Sequence, residues 1–124
     1  MKQTNYKKVR EFHSIMGIAL DKWPPSEQLL TLRSNLLEEE FDELSREINA
    51  LVPEIQGIAK ELCDLLYVAY GTGAALGIDL DKVFEEVHSS NMSKLFNGAP
   101  ILREDGKVLK GPEYKPPDLE FVNV

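Results

Sequence analysis

The chain has one cysteine, Cys63, among its 124 residues. That excludes an intrachain disulfide and suits a reducing compartment. Its two histidines, His13 and His88, form neither an HxH nor an HExxH pattern, so a histidine-built metal site is not expected. No apolar run reaches the ~20 residues a membrane helix requires. The most apolar stretch, Leu62 to Ile78, carries Asp64 and three glycines and reads as a buried helix. The amino-terminal MKQTNYKKVREFH lacks the apolar core of a signal peptide, and a cytoplasmic location is expected. Internal repeats and low-complexity tracts are absent. A basic surplus is absent too. With 14 Lys+Arg against 21 Asp+Glu, the net charge is -7, which argues against nucleic acid or anionic membrane as a partner.

The acids that are present are concentrated. Between Glu38 and Asp64 stand nine acids and two bases, Arg46 and Lys60, so these 27 residues hold the entire net charge. Cys63 lies among them, beside Asp64, and is expected to serve packing.

Hydrophobic periodicity predicts four helices over about 2–22, 27–51, 58–76 and 80–95. Val9, Phe12, His13 and Met16 share a face of the first, and Trp23-Pro24-Pro25 is expected to end it. Ser26 offers an N-cap for the second, which carries Leu37, Phe41, Leu44, Ile48 and Leu51 at helical spacing and is closed by Pro53. VPEIQG at 52–57 reads as a loop. The third is apolar nearly all round, so it should be the central element. Its surplus apolar surface is more than three amphipathic partners cover, and an oligomer is expected. Asp79 caps the fourth, and His88 reads as a helix-surface residue. From residue 98 to 124 the chain becomes a hairpin or extended arm, with Asp105-Gly106 between two short apolar-containing runs. The fold class is all-α, a four-helix bundle in one domain over 1–124.

The helical wheel sorts the acids. Glu40 and Glu43 lie one turn apart beside the apolar stripe of the second helix, and Glu61 and Asp64 repeat that spacing on the third. A buried unpaired carboxylate must protonate, pair with a cation, or bind a metal. Arg33 faces the same side and Arg46 does not. One arginine cannot neutralise four carboxylates, so two carboxylate pairs on facing helices read as a Mg²⁺ or Mn²⁺ site. The competing reading is a solvated stripe, or ion pairs with Lys60 or Arg33. Glu38 and Asp42 point elsewhere on the wheel.

Glu40-x-x-Glu43 followed after 17 residues by Glu61-x-x-Asp64 resembles the ExxE…ExxD signature of the all-α nucleoside triphosphate pyrophosphohydrolases. That superfamily includes MazG, dimeric dUTPases, dCTP pyrophosphatase and phosphoribosyl-ATP pyrophosphohydrolase. REFH at 10–13, LRSNLLEEEFDEL at 32–44, KELCDLLYVAYGTGAALGID at 60–79, EVHSSNMSKL at 86–95 and DGKVLKGPEY at 105–114 extend the likeness along nearly the whole chain. They are similar to the small stand-alone MazG-like proteins of bacteria and phages, MazZ-like enzymes among them. The resemblance implies Mg²⁺-dependent cleavage between the α and β phosphates, giving a nucleoside monophosphate and pyrophosphate. It also implies metal binding by Glu40, Glu43, Glu61 and Asp64. Glu39 would help with a further metal or, with Glu40, take the proton of an attacking water.

The second half of the expected site is cationic. Asn91 and Lys94 share the inward face of the fourth helix, and Lys107 and Lys110 flank the hairpin signal. Lys94, Lys107, Lys110 and Arg33 are the candidate phosphate binders. Phe12, Met16 and Trp23 are candidates to stack on the base, and Asn91 to bond the sugar. dGTP is the first-choice substrate, with phosphoribosyl-ATP, dUTP and dCTP as alternatives. The resemblance implies a homodimer or homotetramer. From a different class, the acids would serve a non-catalytic metal- or nucleotide-binding helical module.

Overall fold

The computed structural model describes residues 2–122. Positions 1, 123 and 124 of the expected domain, the last two also closing the expected arm, lie outside the described residues. Among the described residues, four helices and one two-stranded hairpin make up the regular structure, so the all-α expectation holds. The chain folds as two compact units, one ending at Ile78 and one beginning at Asp79.

The first unit contains α1 (Asn5–Met16), α2 (Glu27–Ile48) and α3 (Ile55–Leu76). α1 is much shorter than the expected 2–22. Thr4 caps it by accepting from Lys7 N, and Gly17 ends it at φ 71°. Glycine takes that left-handed turn without the Cβ clash other residues suffer. The helix thus stops well before the prolines at 24 and 25. The freed segment returns to α3, where Asp21 N and Lys22 N bond the carbonyls of Ala74 (2.9 Å) and Ala75 (2.7 Å). Arg10 holds Asp21 in a two-pronged ion pair at 2.8 and 2.7 Å.

Ser26 caps α2 as expected, accepting from Leu29 N. α2 ends at Ile48 rather than 51, with Asn49 as its C-cap, whose backbone N–H and side-chain amide both donate to the Ser45 carbonyl. α3 starts at Ile55 and takes in part of the expected 52–57 loop.

α3 packs on both α1 and α2, as its apolar composition requires. The core gathers Tyr6 and Val9 of α1, Leu44 of α2, and Ala74, Ala75 and Leu76 of α3. Two close approaches mark the direction of the α2–α3 pairing. Early on α2, the Arg33 guanidinium donates to Thr72 Oγ1 (3.2 Å) and the Val68 carbonyl (3.0 Å). Late on α2, the Glu47 carboxylate lies against Gly57 in the first turn of α3, where the helix dipole favours negative charge. The helices therefore run antiparallel.

The second unit begins with α4 (Leu80–Met92), whose first turn is capped by Asp79 accepting from Lys82 N at 3.2 Å. α4 stops short of the expected 95. Lys94 N bonds back to the Asn91 carbonyl, and Asn97 (φ 51°) and Gly98 (φ 75°) turn the chain between bridging Phe96 and Ala99. The expected hairpin forms from β1 (Ile101–Leu102) and β2 (Val108–Leu109), antiparallel with Ile101 opposite Leu109. Further along, the arm is tied to α4. Ser90 Oγ donates to the Lys115 carbonyl (2.7 Å), and Lys115 N donates to Ser93 Oγ (2.9 Å).

Gly71 shows how closely α3 accommodates its neighbours. A Cβ there would stand 2.6 Å from Arg33 Nη2 and 2.8 Å from His13 Nε2. Both side chains are buried, and His13 Nδ1 is committed to the Ala19 carbonyl. Gly71→Ala should therefore destabilise the chain by roughly 1–3 kcal/mol, outweighing the ~1 kcal/mol gained in helix propensity. Denaturant midpoints measure this. A midpoint at or above the parent's would mean that Arg33 and His13 yield freely.

Candidate metal centre

The antiparallel pairing explains why two separate acid pairs become one cluster. Each step forward on α2 is a step back on α3. Between the Arg33–Thr72 and Glu47–Gly57 anchors, Glu40 falls level with Asp64, and Glu43 with Glu61. Within each helix the i, i+3 spacing keeps the pair on one face. One carboxylate oxygen from each of Glu40, Glu43, Glu61 and Asp64 lies within 4.8 Å of the other three.

This concentration of charge is poorly compensated. Glu40 Oε2 and Glu61 Oε2 are buried and lack a hydrogen-bond partner. Buried polar atoms are rarely left so. The Glu40 carboxyl is held above its ordinary pKa, first by burial and then by the charges of Glu43, Asp64 and Glu61. One cation reaches the cluster among the described residues. Lys60 Nζ stands 2.7 Å from Asp64 Oδ2 and 3.5 Å from Glu61 Oε1. It serves the outer side, where Asp64 is 36% exposed, while the Glu61 side chain is only 13% exposed.

The donor set fits a hard divalent cation. All four ligands are carboxylates, as such ions prefer. Oxygens around an octahedral Mg²⁺ lie about 2.9–4.2 Å apart, given Mg–O distances near 2.1 Å. A four-oxygen cluster spanning 4.8 Å needs only a small contraction to reach that geometry.

The other expected site residues are distributed differently. Glu39 is exposed on α2, next to the cluster in sequence but outside it. Arg33, expected to face the acids and hold phosphate, is instead 5% exposed and bonded to Thr72 and Val68. Burial lowers its pKa. The wheel gave its angular position but not its distance along the helix, which puts it about two turns before Glu40. Phe12 is partly exposed and meets Tyr67 edge-on, with ring centroids 5.5 Å apart. Met16 and Trp23 are exposed on the same unit. Tyr67 was not among the expected residues. The usable signal was its place three residues beyond Asp64, on the same helix face. Cys63 is exposed rather than packed. It lines a crevice of about 170 Å³ with Val9, Leu66, Tyr67 and Tyr70 among others. His88 is at the surface, as expected.

In the second unit, Asn91 is exposed near the end of α4, and the Lys94 carbonyl accepts from Gly111 N. Lys107 lies in the hairpin turn, where its N–H bonds Asp105 Oδ1. Lys110 Nζ lies 4.8 Å from the centre of the Tyr114 ring, a cation–π contact. No helix among the described residues is long and apolar enough to cross a membrane.

Comparison with known proteins places this geometry in context. Residues 9–91 match the family model described as phosphoribosyl-ATP pyrophosphohydrolase. The match takes in all four clustered acids and ends before Lys94. An uncharacterised protein of Acanthamoeba polyphaga mimivirus is 34% identical over 86 residues, covering 64% of this chain. The chain spans 34% of that relative's length.

A carboxyl whose folded pKa is raised favours folding when protonated and loses that contribution as pH rises through its folded value. Without metal, the Glu40 contribution should therefore fall as pH rises above the ordinary carboxyl range. Glu40→Gln removes both the charge and its titration. It should raise the metal-free melting temperature at pH 7 by roughly 2–5 °C and flatten the fall in stability as pH rises above the ordinary carboxyl range. A lower melting temperature for the variant at pH 7 would contradict the repulsion argument.

Proposed function

Since the chain belongs to the phosphoribosyl-ATP pyrophosphohydrolase family, we propose that it is a Mg²⁺-dependent nucleotide pyrophosphohydrolase breaking the bond between the α and β phosphates. Its products are a nucleoside monophosphate and pyrophosphate. The observation that carries this reading is the four-carboxylate cluster with its two buried, unpartnered oxygens.

In this reading Glu40, Glu43, Glu61 and Asp64 hold Mg²⁺, or Mn²⁺ in its place. Bound there, the metal supplies charge neutralisation and polarisation at the phosphates. Glu39, exposed one residue before Glu40, takes the proton of the attacking water. Lys94, Lys107 and Lys110 bind the outer phosphates. Arg33 is left out of the phosphate set because its guanidinium is buried against α3. Phe12, Met16 and Trp23 supply the apolar surface for the base, and Asn91 a polar contact to the sugar.

dGTP is the first substrate to test, with dUTP and dCTP beside it. Phosphoribosyl-ATP is the second reading, favoured by the description of the matching family. Both readings break the same bond, so the site chemistry does not separate them. The working unit is a homodimer or homotetramer in the cytoplasm. Exposed Ile15, Phe41 and Leu66 on α1, α2 and α3 support an oligomer, since association would remove them from water.

The test is a panel of canonical deoxynucleotides, ribonucleotides and phosphoribosyl-ATP with Mg²⁺, scored by product identity. Monophosphate and pyrophosphate are expected from at least one substrate. Glu61→Gln should lower kcat/KM by roughly 100-fold or more with the fold intact. Diphosphate with inorganic phosphate would contradict α–β cleavage. Binding without turnover across the panel would support a non-catalytic nucleotide-binding module.

A further inference from the structure

Lys60 is the cation that the cluster already has, and its placement sets it apart from an ordinary surface lysine. It precedes Glu61 on α3 and reaches Asp64 one turn ahead, an i, i+4 pair. Its ammonium touches one oxygen of Asp64 and lies 3.5 Å from one of Glu61. It leaves Glu61 Oε2 and Glu40 Oε2, the inner oxygens, without a partner. The lysine side chain is itself 68% exposed. A flexible four-carbon stem therefore carries the charge from the solvent side, and nothing buried has to move for it to leave.

We propose that Lys60 is a displaceable counter-cation that sets the metal affinity of the cluster. It neutralises the α3 carboxylates while the metal is away and must give up Asp64 when the metal binds. The inference rests on the metal reading above and adds a residue to it. Two physical effects make Lys60 a brake on loading. The metal competes with the ammonium for Asp64, and the ammonium's positive charge, left close by, repels the incoming dication. Both are modest, because the lysine is exposed and solvent screens it. The advantage is that four acids are not left wholly uncompensated before loading.

The test compares the full chain with Lys60→Met, which keeps most of the stem and loses the charge, and with Lys60→Arg, which keeps the charge. Mn²⁺ is titrated into each, with free metal followed by its paramagnetic resonance signal. Circular dichroism and thermal melting check the fold. Lys60→Met should bind Mn²⁺ roughly three- to tenfold more tightly than the parent. Lys60→Arg should stay within about twofold of it. The metal-free melting temperature of Lys60→Met should fall, and the rise on adding saturating Mn²⁺ should be larger than the parent's. A folded Lys60→Met that binds Mn²⁺ as well as or less well than the parent overturns the role of Lys60 while leaving the metal site standing. Absence of Mn²⁺ binding by the parent overturns both.

Discussion

Four carboxylates held within 4.8 Å of one another by two antiparallel helices are the constraint on which this structure turns. Like charges at that distance repel, and burial strengthens the repulsion by removing water. Burial first, and then the neighbouring charges, hold the Glu40 carboxyl above its ordinary pKa. The packing of α2 against α3, close on either side of the cluster, resists that force. Arg33 bonds α3 on one side, and Glu47 meets Gly57 on the other. A Cβ at Gly57 would come within 2.7 Å of Glu47 Oε2, the end of a flexible side chain that can swing aside. At Gly71 the constraint is firmer, because Arg33 and His13 are buried and hydrogen-bonded. Glycines thus stand at two points where the helices come close, and the four acids cluster between them.

The charge distribution gains meaning from the same geometry. A net charge of -7 would repel a nucleoside triphosphate if it were spread evenly. It lies instead in the segment that builds the cluster, where a divalent cation would offset much of it. The segment beyond Asp79 has a different character, with lysines at 94, 107 and 110 and an arm tied to α4 through Ser90 and Ser93. The stretch that matches the family model ends at residue 91, so it carries the acids but not these lysines.

Much of the architecture was legible in the sequence because its signals are local. Ser26 and Asp79 cap helices as their positions predict, and Asp105-Gly106 turns a hairpin. The acid cluster was legible because its spacing survives projection onto a helical wheel. Helix ends were less so. α1 stops at Gly17, since the segment after it finds hydrogen bonds on α3, a tertiary partner that periodicity does not reveal. Arg33 shows the limit of the wheel itself. Angle alone put it beside the acids, whereas position along the helix axis puts it beside Thr72. Cys63 lies at an exposed crevice for a related reason, since an apolar sequence around a residue does not mean that its own face is covered.

The central claim is that Glu40, Glu43, Glu61 and Asp64 together hold a divalent cation. The most direct measurement is anomalous diffraction from crystals of the full chain grown with Mn²⁺. A single strong anomalous peak within coordination distance of carboxylate oxygens from both α2 and α3 is the predicted result. Crystals diffracting well but showing no peak between the helices, with Lys60 still bonded to Asp64, would contradict it.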